Sequence, residues 1–368
     1  MATPIIPLYT VERGGGPIDV GLIMLVNSIL TAALSIPLGA LSDRVGRRAV
    51  LLLGAFTGAM GNFLLPLAST PFIILILYGM AGGGHAAYSS ASSAMVADIA
   101  SKDTMASAFG WTQIARQTGN LAGPALGGFL ASLFGYSSTF IACGIFLTIG
   151  TVLTALFVHT QTKKDSTITK EAGVARTISK AVSNIVIIVA LMCSFSTGFV
   201  LLAYRSFIPL YLNNLGIDPS YIGILFTVQA LASISVRIPI ARYSDRTGRR
   251  APFIIFGLLS MAASMVLIIS TSNLLVILGW AAFLGFGNAL VAIVSAVIIA
   301  EKAVKETRGV LFGIQSAATH SGQGVGAVFT GAVIESYGFE AGFRSVAIIA
   351  AATALAFIIG IRRTKAIK

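Results

Sequence analysis

Polar side chains recur at helical spacing inside otherwise apolar runs. Asn27, Thr31 and Ser35 follow one another at i, i+4 and i+8, as do Gln229, Ser233 and Arg237. Residues four apart share a helix face, so each triplet is a polar stripe. Tyr78, His85, Ser89 and Ser92 share a face of another run, Arg116, Gln117 and Asn120 stand in a third, and Gln315, Thr319, His320 and Gln323 in a fourth. Amides, hydroxyls and a guanidinium can bind a small solute, and an imidazole can carry a proton near neutral pH. None of this assembles a reaction centre. There is no phosphate loop, metal-ligand cluster or nucleophile–base pair, so the expectation is no enzyme, no catalytic residue, no metal and no cofactor. Cys143 and Cys193 lie inside apolar runs and form no framework.

The runs that carry these groups are too apolar for water. Of 368 residues, 56% are hydrophobic and 10% charged, against roughly 45–50% and about 25% in soluble domains. A spanning helix needs about 20 apolar residues. Eleven such runs are read at 20–41, 50–68, 72–97, 106–133, 138–159, 184–212, 220–242, 252–270, 274–299, 308–335 and 341–361. Strand-length alternation is absent, so the fold expected is an all-α polytopic membrane protein.

The net charge of +12 follows from sidedness. Connections 42–49, 98–105, 160–183, 243–251, 300–307 and the tail from Arg362, with Arg242 and Arg308 at their edges, carry 20 of the 25 Lys and Arg. The positive-inside rule places this set in the cytoplasm of a multi-pass cell-membrane protein, and no nucleic-acid partner is needed to explain the charge. The polar segment 160–183 is read as a solvated linker between a bundle at 1–159 and one at 184–361, with a short tail at 362–368.

The two blocks repeat. A shift of 202 places Ile6-Pro7-Leu8-Tyr9 on Ile208-Pro209-Leu210-Tyr211, and Ser42-Asp43-Arg44 on Ser244-Asp245-Arg246. It also places Gly46-Arg47-Arg48 on Gly248-Arg249-Arg250. From 6 to 49 the alignment is gapless, with 17 identities in 44 positions. A shift of 203 then aligns Gly119, Gly123, Gly128, Gly135 and Phe140 with Gly322, Gly326, Gly331, Gly338 and Phe343, one inserted residue explaining the change. Parallel six-span halves are a recurring transporter plan with a solute site near the midplane. An apolar run of about 25 residues precedes Pro209, yet six residues precede Pro7. The expectation is that most of a first span lies outside this chain, leaving about eleven full spans.

The segment Gly39-Ala-Leu-Ser-Asp43-Arg44-Val-Gly46-Arg47-Arg48 resembles the signature between spans 2 and 3 of the major facilitator superfamily. Its copy around Asp245, Arg246, Gly248, Arg249 and Arg250 resembles the degenerate second-half counterpart. Gly119, Gly123, Pro124, Gly127 and Gly128 look like the span-5 motif of that family's antiporters, which bend a helix there. The resemblance implies two six-helix bundles, with Asp43 latching the cytoplasmic face in one state. Gly39 is read as a site of close helix approach, Gly46 as a tight turn, and Arg44, Arg47 and Arg48 as partners for Asp43 or lipid phosphates. One departure stands out. Drug-efflux members usually carry an Arg four residues before a span-4 Gly, and here Tyr78 precedes Gly82.

The cavity is expected to draw on Asn27, Thr31, Tyr78, His85, Ser89, Arg116, Asn120, Gln229, Ser233, Arg237, His320 and Gln323. Arg116 lies about ten residues into its span, whereas Arg205 and Arg237 are read as nearer span ends. Membrane Ser and Asn also serve plain helix–helix bonding, which remains the alternative for the stripes. No Asp or Glu lies deep in any span, which favours anionic or neutral solutes over cations. The function expected is secondary active transport of a small molecule, as an ion- or proton-coupled efflux antiporter. An organic-anion exchanger or uptake facilitator is the alternative, with a non-transporting sensor behind it. The partners expected are the solute, the lipid bilayer and a coupling proton or other ion, with the chain a monomer.

Overall fold

Apolar runs of this length can hide their backbone only by coiling, and the computed structural model is helical throughout. It describes residues 1–99, 105–157, 185–247, 250–302 and 308–364. The expected linker 160–183 lies outside the described residues, as do Gly248 and Arg249. In chain order the helices are α1 (Ile6–Glu12), α2 (Pro17–Val45), α3 (Arg47–Leu64), α4 (Pro71–Ile99), α5 (Met105–Phe134) and α6 (Tyr136–Phe157). They continue as α7 (Ile185–Asn214), α8 (Pro219–Thr247), α9 (Ala251–Ile268), α10 (Leu274–Lys302) and α11 (Arg308–Thr364).

Local chemistry sets the ends. Pro17 opens α2, and the Asp19 carboxylate accepts a hydrogen bond from the Gly16 amide at 2.8 Å. Proline suits a first helical turn because its missing N–H has no partner there anyway. Gly46 separates α2 from α3 at φ +108°, the tight turn expected of it.

Among the described residues, nine helices are long and apolar enough to cross a membrane. One of them, Leu311–Gly360, covers most of the two expected spans 308–335 and 341–361, because α11 runs through both with its break at Gly338 (φ +83°). α5 forms one 30-residue helix but is not among the nine, since Gln113, Arg116, Gln117 and Asn120 dilute its hydropathy. Large apolar side chains point outward, as on α6, where Phe146, Ile149, Val152, Leu153 and Phe157 are exposed. In water such a surface would aggregate; in lipid it is the solvated face.

The chain divides into two compact units, Met1–Thr167 with Leu212–Ile224, and Ile168–Tyr211 with Leu225–Lys368. The segment Leu212–Ile224 therefore groups with the first unit rather than with the second block of the repeat. In unit 1, α4 packs against α2 and α3, and α3 against α6. In unit 2, α9 packs against α10 and α11.

Equivalent contacts recur in each unit. A Cβ added at Gly54 would lie 2.6 Å from the Tyr88 amide nitrogen and 2.7 Å from the Gly84 carbonyl oxygen. One added at Gly257 would lie 2.7 Å from Val291 Cγ2 and 2.8 Å from the Gly287 carbonyl oxygen. These positions match at a shift of 203. The Tyr9 hydroxyl donates to the Pro66 carbonyl at 3.2 Å, and the Tyr211 hydroxyl to Ile269 at 3.1 Å. Tyr9 meets Phe140 edge-on at 5.0 Å and Tyr211 meets Phe343 at 6.0 Å. The close approach expected at Gly39 is absent: its added Cβ would sit 3.9 Å from Ser90 Cβ, an ordinary contact. The tight crossings of α3 with α4, and of α9 with α10, run over Gly54 and Gly257 instead.

α8 also extends further than the expected span 220–242. It runs from Pro219 to Thr247, which leaves Arg237 ten residues, roughly 15 Å, short of the helix end. The last turns carry Arg242, Asp245 and Arg246, so the extra helix length does not by itself deepen Arg237 in the span.

The crossings give a direct prediction. Gly54→Val and Gly257→Val overpack backbone against backbone and cost about 1–3 kcal/mol. Each should lower the thermal unfolding midpoint in detergent, whereas Gly279→Ala, which faces open space, should leave it nearly unchanged.

Candidate functional site

Two ion-pair clusters stand at equivalent helix ends. In unit 1, Arg47 pairs with Asp43 one turn earlier. It also donates to Asp98 on α4 at 2.9 Å and to Ser42 Oγ at 2.8 Å. In unit 2, Arg250 donates to Glu301 on α10 at 2.7 Å and to Ser244 Oγ at 2.7 Å. Arg250 thus makes contacts in unit 2 that parallel those of Arg47 in unit 1; Arg249, which the gapless alignment places on Arg47, lies outside the described residues.

Asp98 and Glu301 were not selected from sequence as part of this cluster. The 203-residue shift that carries one onto the other was the available signal. Asp43, Arg44 and Arg246 are exposed. Arg48 reaches across to the Ala155 carbonyl near the end of α6, and a cation there suits the helix dipole. Gly39 lies beside Ser90, and Gly46 forms the turn. Gly248 and Arg249 lie outside the described residues, and so does the Asp245 side chain.

The energetics of the clusters are modest. The carboxylates of Asp98 and Glu301 are 55% and 53% exposed. Pairs this exposed contribute about 0–1 kcal/mol each. Such contacts can be made and broken with small changes in helix position, which a permanent strut could not.

The two polar stripes differ. In unit 1, the Asn27 amide donates to the Tyr78 carbonyl at 2.8 Å. Thr31 donates to the carbonyls of Asn27 at 2.8 Å and Gly82 at 3.2 Å. Ser35 donates to Thr31 and accepts, on its carbonyl, a bond from Ser90 at 3.0 Å. This stripe binds α2 to the backbone of α4, the plain helix–helix role. Gly82 makes room, since its added Cβ would lie 3.0 Å from the Asn27 carbonyl oxygen. In unit 2, Gly285 meets the Gln229 carbonyl in the equivalent crossing. Here, however, Ser233 Oγ and Arg237 Nε are buried without a hydrogen-bond partner.

The remaining expected residues scatter. His85 is exposed and Tyr78 and Ser89 are half-buried on α4. Arg116 and Asn120 are exposed on α5, where Asn120 contacts Gln117 at 3.3 Å. On α11, His320 Nδ1 lies 3.0 Å from Gln323 Oε1, and Gln315 donates to Ser194 of α7 at 3.2 Å. Close helix contact surrounds that pair: a Cβ at Gly322 would lie 2.0 Å from the Phe195 carbonyl oxygen.

The α5 glycine motif also serves close approach. Cβ atoms at Gly123 and Gly127 would meet Met1 at 2.9 and 2.8 Å, and one at Gly128 would meet the Pro219 carbonyl oxygen at 2.4 Å. Gly119 faces open space, and α5 continues through Pro124. Beside it, Ser132 donates to Asp218 at 2.8 Å. Hydrogen bonds from the Ser220 hydroxyl and amide, then from Ser132, hold the Asp218 carboxyl below its usual range.

Comparison with known proteins adds an independent line. The family model described as Major Facilitator Superfamily matches residues 1–218 and 190–367. The multi-drug resistance efflux pump PmrA of Streptococcus pneumoniae is 32% identical over 165 residues, 43% of this chain and 40% of that protein. The matched segment thus spans about two-fifths of that relative's length. The quinolone resistance protein NorA of Staphylococcus aureus is 21% identical over 342 residues, 91% of this chain and 86% of that protein. The crystal structure of the nucleoside transporter NupG aligns with a TM-score of 0.81 at 14% identity, covering 98% of this chain and 95% of that one. At that identity the likeness shows the fold.

The ion-pair clusters make a prediction by double-mutant cycle. Arg47→Gln with Asp98→Asn, and Arg250→Gln with Glu301→Gln, should each show a coupling of about 0–1 kcal/mol in detergent unfolding that shrinks at high salt. A large, salt-independent coupling would identify rigid struts instead.

Proposed function

This multi-pass helical membrane protein belongs to the major facilitator superfamily, and from that premise we propose that it is a secondary active transporter. It moves a small molecule across the cytoplasmic membrane by alternating access, as an ion- or proton-coupled efflux antiporter. The observation that carries this reading is the duplicated ion-pair cluster, Asp43–Arg47–Asp98 and Arg250–Glu301, at matching ends of the two units. Weak, exposed pairs of this kind can hold one face closed and release it at small cost. The named relatives, a multi-drug efflux pump and a quinolone resistance protein, support efflux as the direction.

Coupling is assigned to His320. Its Nδ1 lies 3.0 Å from the amide oxygen of Gln323, which occupies one ring nitrogen and leaves Nε2 as the other. The loops 42–49, 98–105, 160–183, 243–251 and 300–307 face the cytoplasm in this reading, as does the C-terminal tail. The chain acts as a monomer. Organic-anion exchange is the second reading, favoured by Arg237, whose buried Nε has no hydrogen-bond partner among the described residues.

The test is accumulation in cells of cationic, anionic and neutral fluorescent compounds, with and without the protein. At least one compound should be excluded by the protein, and a protonophore should abolish the exclusion. His320→Gln should flatten the pH dependence, and Asp43→Asn should change cysteine accessibility at the cytoplasmic face. Accumulation unchanged for every compound would overturn the transport reading.

A further inference from the structure

An open groove of about 330 Å³ runs between α8 and α10. Ala232, Ser235 and Val236 wall one side, and Gly279, Phe283 and Phe286 the other. Phe283 and Phe286 each meet Phe256 of α9 edge-on, at 6.1 and 6.0 Å, and Phe256 is 50% exposed. On α8, Leu231 and Ile238 beside the groove are exposed too. A bundle face this apolar is solvated by lipid tails.

The α8 side of the groove continues into a cationic one. The helix advances about 100° per residue. Ser235, Val236, Pro239, Arg242, Tyr243 and Arg246 therefore share one arc of about 120°, and Ser233 and Arg237 fall outside it. Contacts beyond Pro239 agree with this register: Tyr243 meets Phe253 of α9 edge-on at 5.9 Å, one turn before Phe256. Arg242 and Arg246 are both exposed. They stand six and ten residues past Val236, about 9 and 15 Å along the helix. The hydrocarbon half of a bilayer is about 15 Å thick. Cations and groove are thus spaced as the phosphate and the acyl chain of one phospholipid.

Unit 1 lacks this combination. At the shifts of 202 and 203, Arg242 and Tyr243 correspond to Ala40 and Leu41, and Phe256, Phe283 and Phe286 to Leu53, Met80 and Gly83. Sidedness alone asks for cytoplasmic cations. It asks for neither a groove nor an aromatic wall in line with them.

We infer that this face of unit 2 binds one anionic phospholipid, its phosphate at Arg242 and Arg246 and one acyl chain in the groove against Phe283 and Phe286. Charge complementarity selects the occupant. Two guanidiniums four residues apart can each donate paired hydrogen bonds to phosphate oxygens. A zwitterionic lipid brings its own ammonium, which competes for that phosphate, and a neutral lipophile leaves the arginines unused. The site is independent of the transported solute.

Trp280 reports on the groove, because its ring lies 5.8 Å from that of Phe283. Trp111→Phe leaves it the sole tryptophan. The test titrates the delipidated full chain in detergent with phosphatidylglycerol or phosphatidylcholine carrying brominated acyl chains, and reads quenching of Trp280. Phosphatidylglycerol should quench saturably and at lower concentration than phosphatidylcholine, and salt should narrow the difference. Arg242→Gln and Arg246→Gln should each weaken apparent phosphatidylglycerol affinity about fivefold, and together roughly twentyfold. Arg242→Lys should keep most of the affinity. Gly279→Leu, which fills open space, should lower quenching by both lipids. If Gly279→Leu fails to fold, the exposed arginine variants carry the test. Equal quenching by the two headgroups, or unchanged phosphatidylglycerol quenching in the double arginine variant, would overturn the inference. So would quenching that rises without saturating, which marks bulk lipid contact, or equal quenching by an uncharged brominated detergent, which would make the groove a general apolar surface.

Discussion

Helices in a bilayer gain nothing from hiding apolar surface from one another, because lipid tails are as apolar as leucine. Association must come from close contact and from hydrogen bonds. Both units of this protein meet that constraint with glycine. At Gly54 against Gly84, and at Gly257 against Gly287, backbones approach so closely that a Cβ at the first would fall within 3 Å of the second's carbonyl oxygen. Each crossing is duplicated because the unit is duplicated, and the polar stripes and ion-pair clusters are held in register by it.

The duplication also makes each departure from symmetry informative. Thr31 and Ser233 occupy matching turns, yet one hydroxyl is bonded to backbone and the other has no partner. Leu30 and Leu34 lie against Gly79 and Gly83, where unit 2 has the smaller Ala232 and Val236. Side-chain volume moves across the crossing: Leu30 and Leu34 against Gly79 and Gly83 in unit 1 correspond to Ala232 and Val236 opposite Ala282 and Phe286 in unit 2.

Much of the architecture was legible from residues. Composition alone required helices in lipid, and the shift of about 202 residues identified pairs such as Tyr9 and Tyr211 that bond in the same way. What spacing does not give is the partner on the neighbouring helix. Spacing alone does not say which of the two consecutive arginines in each copy meets the carboxylate on the neighbouring helix; Arg47 and Arg250 do so. The apolar run ends at 242 while the helix continues to Thr247, because Arg242 and Arg246 interrupt the apolar run without interrupting the coil. Asp98 and Glu301 were missed for a related reason: each stands at a helix end, where a carboxylate needs no explanation until its partner is seen. The stripes could not be told apart by spacing, since hydrogen-bond partners are a property of the neighbouring helix.

The central claim is that these two glycine-seamed units carry a solute across the membrane. Reconstitution into liposomes with an imposed pH gradient tests it most directly, by following release of a trapped aromatic solute. The account predicts saturable release above that of protein-free liposomes, collapsing when the gradient is dissipated. Release that is indistinguishable from protein-free liposomes across anionic, neutral and cationic solutes would contradict it.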